Sequence, residues 1–285
     1  MRSTEFLSEL QDKAMDNRYI KENLICPICR TPLSVTENGK SIACAGVRRH
    51  LWDIASSGYV NIDGSSKSGD PKDAVRARSA FLSLGHYERA ADTVLSFLEK
   101  YAPGGVYVDA GCGEGYYSER FAALGECLFG FDLSRAAVER AAKRKTENAF
   151  YMLAGINKMP VGDGRADAVV NIFAPCFEDE YRRILKDGGV LIVMCAGKNH
   201  LMEMKRELYE ETPENTLRAD LPKNMTLLEK AELDYSFTLH GREEIESLFA
   251  MTPYSYRTQR EAAERLLSLE SLTVTANFEF YVYKK

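Results

Sequence analysis

The sequence predicts an α/β fold, a parallel sheet wound with helices on both faces, preceded by a small zinc-binding unit. Three observations carry this expectation. From residue 105 onward, short apolar runs alternate with amphipathic stretches of about ten residues, the texture of βαβ units. A glycine-rich turn joins the first of those runs to the segment that follows. Three of the seven cysteines, Cys26, Cys29 and Cys44, fall within 19 residues of one another. At 285 residues and 45% apolar content, the chain is long enough for one or two domains with a sizeable core.

The elements follow in order. Residues 4–16 carry Phe6, Leu7, Leu10 and Met15 at helical spacing behind a Ser3 or Thr4 cap. Residues 24–62 form a unit punctuated by Cys, Pro and Gly, and GSSKSGDPKD (64–73) reads as a linker. Helical patterns run over 74–84 and 87–101, the second ended by Pro103-Gly104-Gly105. Strands are then expected at 106–111, 127–132, 149–153, 166–173 and 189–196. Helices are expected at 116–124, at 134–145 behind a Ser134 cap, and over EDEYRRIL, closed by Lys186-Asp187-Gly188-Gly189. The last stretch, 271–283, alternates apolar and polar residues and fits an edge or antiparallel strand. The chain thus divides into an N-terminal helical extension (1–23), a zinc-binding unit (24–63), a linker with helices (64–104) and the main domain (105–285).

Composition excludes several classes of function. The longest unbroken apolar run, Val190 to Ala196, is far short of the ~20 residues that cross a bilayer. The start, MRSTEFLSELQDK, lacks the apolar stretch of a signal peptide. The expectation is a cytoplasmic protein with no membrane partner. A net charge of −5 argues against indiscriminate nucleic-acid binding. Residues 26–89, however, carry nine basic and six acidic side chains, against 24 and 31 in residues 90–285, so the N-terminal part can meet a polyanion.

The clustered cysteines read as a metal site rather than a disulfide framework. Cys26 and Cys29 form a CxxC turn; Cys44 follows after fourteen residues and His50 after five more. Two thiolates from one turn and a later pair can close a tetrahedron of ~2.3 Å sulfur and ~2.0 Å nitrogen bonds around Zn2+. Four protein ligands leave no open position, so the ion would be structural, and a segment this small needs it to fold. The fourth ligand stays open between His50, which could belong to a basic Arg48-Arg49-His50 surface, and nearby Asp53.

VYVDAGCGEGYYS places Asp109, Gly111, Gly113 and Gly115 at the first strand-to-helix junction. The pattern is G-x-G-x-G; Tyr116 stands where the dinucleotide fingerprint has its third glycine. Glycines let the backbone approach a ligand closely. Glu114 sits where a pyrophosphate would need a helix N-terminus free of negative charge. A carboxylate there disfavours NAD or ATP and suits a cationic ligand without phosphate, such as S-adenosylmethionine. Asp132, 23 residues after Asp109, ends the next strand and can accept from both ribose hydroxyls. Asp163 and Asp167 are expected near the adenine side.

With those residues in place, the sequence resembles the RlmA family of 23S ribosomal RNA (guanine-N1) methyltransferases. The resemblance rests on CPIC with Cys44 and His50, then LWDIASSGYVN (51–61) and RARSAFLSLGHYERAAD (76–92). It continues through DAGCGEGYYS (109–118), NIFAPC (171–176), HLMEMK (200–205) and MTPYSYR (251–257). It implies a zinc-ribbon RNA-recognition unit on a class I S-adenosylmethionine-dependent methyltransferase domain, working as a homodimer. It also implies a target guanine in a hairpin loop of 23S rRNA, and some members confer resistance to tylosin-type macrolides. Carried over by motif, the cofactor contacts are Tyr87, Gly113, Glu114 and His200, and the zinc ligands are Cys26, Cys29, Cys44 and His50.

The N1 atom of guanine carries a proton at neutral pH, so the enzyme must align N1, methyl and sulfur while that proton leaves. NIFAPC follows the fourth strand, where a target base would meet the cofactor. Backbone carbonyls of Ala174 and Pro175 are expected to hold the guanine edge, with Phe173 or Cys176 packed nearby. Arg48, Arg49, Arg76 and Arg78 are candidate phosphate contacts, and Trp52 either stacks on a base or packs over the zinc unit. Two rivals stay open: a small-metabolite methyltransferase with a purely structural zinc unit, and a non-catalytic zinc RNA-binding protein. Intact Asp109, Gly111, Gly113 and Asp132 argue against the second.

Overall fold

The computed structural model describes residues 17–63, 69–215, 218 and 220–285. The helix expected over 4–16 lies outside the described residues, as does 64–68 of the expected linker. Helix α1 (Asn17–Asn23) leads into a three-stranded antiparallel ribbon of β1 (Leu33–Val35), β2 (Ser41–Cys44) and β3 (Leu51–Asp53), in the order β1-β2-β3. The chain then enters the main sheet through β4 (Val60–Asn61) and passes to α2 (Lys72–Ser83) and α3 (Glu88–Tyr101).

The main sheet has eight strands in the order β10-β11-β9-β8-β5-β6-β7-β4. Its parallel part comprises β4, β5 (Val106–Ala110), β6 (Cys127–Asp132), β7 (Ala149–Leu153), β8 (Ala166–Ile172) and β9 (Leu185–Ala196). Helices α4 (Tyr116–Ala122), α5 (Arg135–Lys143) and α6 (Glu178–Ile184) connect these strands. The expected Ser134 cap is present, its Oγ accepting from Ala137 N at 3.3 Å. After α7 (Met202–Leu208), two long antiparallel strands, β10 (Thr226–His240) and β11 (Ser271–Lys284), complete the sheet. Between them run α8 (Gly241–Met251), a 3-10 turn (Pro253–Tyr256) and α9 (Arg260–Leu267). Of the two positions left open for the last strand, β11 takes the antiparallel one but not the edge. β10 is the edge, and its sequence LLEKAEL is built of helix formers whose preference pairing with β11 overrides.

Alternation along each strand sorts the core onto two faces. Tyr107 and Leu128 join one apolar cluster with Phe81, Phe97 and Phe121 from the helices. Val106, Val108, Phe129 and Phe131 join the other, whose covering layer comes from Ile20, Leu24, Leu33 and Ile42 as well as Tyr181 and Ile184 of α6. Helices therefore cover one face, and the zinc unit shares the other with α6. β5 neighbours β6 on one side and β8 on the other, so the chain reverses direction across the sheet there and opens a crevice at the strands' carboxyl ends.

Phe129 is fully buried at the centre of β6. Phe129→Ala should cost about 3–5 kcal/mol, read as a lowered midpoint in urea unfolding with an unchanged slope.

Candidate active site and metal centre

The crevice at the carboxyl ends of β5, β6 and β8 encloses about 540 Å³, within the ~300–1,000 Å³ of ordinary ligand cavities. The glycine loop forms its floor. Gly111, Gly113 and Gly115 all take positive φ, at 93°, 54° and 83°. A Cβ on Gly111 would stand 2.6 Å from Ala174 Cβ, so the absence of a side chain lets the loop meet the turn after β8. The N–H groups of Gly111 and Cys112 both donate to Phe131 O, at 2.9 and 3.0 Å. Asp132 ties the next turn to the loop, its Oδ2 accepting from Gly113 N at 3.0 Å and its Oδ1 from Ser134 N at 2.7 Å.

Three carboxyls gather here: Asp109 and Glu114, both buried, and Asp132, half-buried. Burial lifts all three above their ordinary range, Asp109 to about 7 despite a 2.6 Å hydrogen bond from Ser118 Oγ. Arg144 lies 3.6 Å from Glu114 Oε1 without hydrogen-bonding it, and that oxygen has no hydrogen-bond partner at all. Arg78, expected among the surface phosphate contacts, instead turns into the cavity and pairs with Asp70 above Gly113.

On the opposite side of β5 the cavity is lined by Tyr87 and His200. His200 Nδ1 accepts from Asn277 N at 3.2 Å, and Nε2 lies 3.3 Å from the Tyr87 hydroxyl. Burial drops the imidazole to about 4, so it is neutral. With Nδ1 occupied as an acceptor, the ring proton sits on Nε2 and donates to Tyr87, whose own O–H is left free to donate to a ligand. A ring with its lone pair so engaged is no general base.

The turn after β8 brings Phe173 to the mouth, 48% exposed and at a left-handed φ of 54°. That conformation costs a non-glycine residue roughly 1–2 kcal/mol, and the flanking bonds hold it there. Asn171 Nδ2 and the Tyr181 hydroxyl both donate to Pro175 O, at 3.0 and 3.1 Å, and Arg218 donates to Ala174 O at 2.5 Å. Both lone pairs of Pro175 O are taken within the fold, whereas Arg218 takes one of the two on Ala174 O, so of the two carbonyls expected to hold a guanine edge Ala174 O is the one that keeps acceptor capacity. Cys176 is no nucleophile, since burial pushes its thiol up to about 11.

Asp163 and Asp167 do not reach the cavity. Asp163 bridges Arg30 and Arg183 at 2.7 and 2.6 Å. Asp167 stands at the start of β8, the far end of the strand, where it accepts from Val106 N and pairs with Lys186, both at 2.8 Å. Sequence reasoning assigned no role to Asp70 or to Thr252, Pro253, Tyr254 and Tyr256, which also line the cavity. The polar linker and the MTPYSYR string were the only signals for them.

The second cluster gathers Cys26, Cys29, Cys44 and His50, with all four ligand atoms within 4.8 Å of one another. Sγ of Cys29 and Cys44 are 3.6 Å apart, and His50 Nδ1 lies 3.4 Å from Cys26 Sγ and 3.5 Å from Cys44 Sγ. Edges of roughly 3.5–3.8 Å are those of a tetrahedral zinc site with ~2.3 Å and ~2.0 Å bonds. The donors fit Zn2+, and the N–H groups of Ile28 and Cys29 aimed at Cys26 Sγ, both at 3.4 Å, suit a thiolate there. Asp53 does not compete, because it accepts from Ser41 Oγ at 2.8 Å. Trp52 packs against the ribbon's core rather than standing free. Arg48 and Arg49 are exposed, and Arg76 is exposed 3.6 Å from Asp73.

Comparison with known proteins agrees with both halves. Residues 24–62 match the family model described as RlmA, N-terminal, and residues 108–193 match a methyltransferase domain model. A 23S rRNA (guanine(748)-N(1))-methyltransferase of Streptomyces fradiae is 34% identical over 195 residues, 66% of each chain. A Bacillus subtilis (strain 168) protein provisionally named a 23S rRNA (guanine-N(1)-)-methyltransferase, YxjB, is 26% identical over 91% of this chain and 96% of its own. A provisionally named 23S rRNA (guanine-N(1)-)-methyltransferase of Micromonospora griseorubida is 27% identical over 92% and 97%. Among the described residues, no helix is long and apolar enough to cross a membrane.

Two predictions follow from the geometry. The folded chain holds the Asp109 carboxyl protonated up to about 7, whereas the unfolded chain ionises it near ~3.9. The stability this confers is complete below that lower value and is lost as pH rises through the higher one. Stability of Asp109→Asn relative to wild type should therefore improve from about pH 4 to pH 8 in urea titrations. Parallel profiles would contradict a carboxyl held neutral. The protein as purified should carry one equivalent of zinc by atomic emission, and His50→Ala should lose most of it together with several degrees of melting temperature.

Proposed function

We propose, because the chain belongs to the RlmA family, that it transfers the methyl group of S-adenosylmethionine to N1 of a guanine in a hairpin loop of 23S ribosomal RNA. The observation that carries the reading is a single cavity in which buried carboxyls and the strained Phe173 turn face the same space.

When bound, the cofactor supplies an electrophilic methyl group on a sulfonium. Asp132 keeps acceptor capacity beyond its two backbone bonds for the ribose hydroxyls. Glu114, whose Oε1 makes no hydrogen bond among the described residues, would offer negative charge to the cationic end, and a cation bound there would draw Asp109 from its neutral form toward the carboxylate. The glycine loop contributes shape through Gly111 and Gly113. Tyr87 donates its free O–H to the amino-acid carboxylate, held in that orientation by neutral His200. The target base enters beside Phe173, whose ring gives a purine face something to stack on. His200 does not take the N1 proton, its lone pair being held by Asn277, so the proton leaves to water at the open mouth.

Outside the cavity, Arg48 and Arg49 on the ribbon, with Arg76 on α2, make phosphate contacts that orient the hairpin without reading its bases. Arg78 contributes inside the cavity instead, and Trp52 braces the ribbon. The same reading places the enzyme in the cytoplasm with its ribosomal substrate and working as a homodimer.

Incubation with tritiated S-adenosylmethionine and a 23S rRNA hairpin transcript should label one loop guanine and stop primer extension there, because N1-methylation blocks pairing. Label on metabolites and none on the hairpin would favour the small-metabolite alternative. Gly113→Arg forces a long cation into a left-handed position beneath Arg78. It should abolish cofactor binding in calorimetry and leave zinc content unchanged; loss of zinc as well would show that the two halves are not separable.

A further inference from the structure

The geometry points to Tyr256 as the second wall of an aromatic clamp that stacks the target guanine against Phe173, a role that rests on the reading above. Among the described residues, nine large apolar or aromatic side chains are exposed. Two of them line the cavity, Phe173 at 48% and Tyr256 at 65%, and both are aromatic. They come from separate elements, the turn after β8 and the 3-10 turn after α8, both of which line this one cavity.

Each ring is held out rather than left loose. Phe173 is fixed by its left-handed backbone and by its N–H, which donates to Met194 O at 3.1 Å. The 3-10 turn is fixed from below. Thr252 Oγ1 donates to Phe249 O at 2.7 Å, and Tyr254 is half-buried against Tyr209 with Lys205 Nζ 5.4 Å from its ring centre. With Tyr254 facing inward, Tyr256 two residues on is presented outward. Among the described residues its ring meets no other ring, and its hydroxyl makes no hydrogen bond. An exposed tyrosine with no internal partner on a rigid turn adds nothing to folding, and at the cavity mouth it can contact what enters.

The chemistry calls for such a pair. N1 lies on the edge of a flat purine, so in-line transfer needs the ring plane fixed while its edge stays free. Rings above and below do that without engaging the edge, and they replace the stacking the base loses on leaving its neighbours. With the Pro175 carbonyl committed and one lone pair of Ala174 O on Arg218, most of what this turn offers a base is the face of Phe173.

The test uses the full chain, tritiated S-adenosylmethionine and a hairpin transcript with guanines in its loop. Tyr256→Ala should lower kcat/KM for RNA by roughly five- to hundredfold, the range stacking on one aromatic gives. Cofactor affinity by calorimetry and zinc content should match wild type. Tyr256→Phe and Tyr256→Trp should both restore activity, since a stack needs the ring and not the hydroxyl. Unchanged kcat/KM in Tyr256→Ala would overturn the clamp alone, as would a loss shared by Tyr256→Phe or accompanied by an equal loss of cofactor affinity. A wild-type protein that labels no loop guanine would overturn the functional reading and the clamp together.

Discussion

Negative charge taken out of water at the ends of β5 and β6 is the constraint around which this molecule is arranged. Removing a carboxylate from solvent costs several kcal/mol unless hydrogen bonds and counter-charges offset it. The fold offers part of that offset: Ser118 to Asp109, two backbone N–H groups to Asp132, and Arg78 and Arg144 nearby. It withholds the rest. Glu114 Oε1 has no hydrogen bond, and Asp70 draws off much of the positive charge of Arg78. A cavity so biased is better satisfied by a ligand carrying an ammonium and a sulfonium than by any phosphate. The glycines serve the same end, for Gly130 on β6 also stands where a Cβ would meet the Tyr151 ring at 2.6 Å and Cys112 Cβ at 3.1 Å.

The zinc unit is a structural layer of this domain as well as an appendage to it. A ribbon of three short strands has little core of its own. It finds one by laying Leu24, Leu33 and Ile42 on the sheet face that carries Phe129 and Phe131. Leu24 bridges to Val161, Gly162 N donates to Asn23 O at 2.8 Å, and β4 adds itself to the sheet edge beside β7. Arg30, from the CxxC turn itself, reaches Asp163. The metal therefore orders a surface that the sheet needs covered, and the sheet fixes the direction in which Arg48 and Arg49 face.

Much of this was legible in the sequence because local chemistry and tertiary role agree there. The parallel strands are short apolar runs, Ser134 caps where a cap was expected, and CxxC with Cys44 and His50 converges to one tetrahedron. What escaped was decided by distant pairing. β10 is written in helix formers, and a 15-residue edge strand arises only because β11 lies beside it. Asp167 looked like a ligand-binding acid by position in the sequence. Lying at the start of its strand, it sits at the wrong end and holds Val106 instead. The Pro175 carbonyl looked free because nothing local shows that Asn171 and Tyr181 converge on it. Arg78 looked like a surface cation because a polar linker does not reveal that its Asp70 folds back over the cavity.

The linker between the two halves is itself tied to the cavity. Gly69 lies so close to Ser134 that a Cβ there would stand 2.5 Å from Ser134 N. Ser134 Oγ then donates to Asp70 O at 2.7 Å, while its N–H donates to Asp132. One serine thus pins the linker, caps α5 and orients Asp132. From Asp70 the ion pair reaches Arg78 above Gly113. Asp70 of the linker, Arg78 on α2, the glycine loop and the start of α5 are thus consecutive links in one path of polar contacts. Displacing Asp70 would therefore break the Ser134 and Arg78 contacts that hold it, so the linker, the turn after β6 and the glycine loop constrain one another.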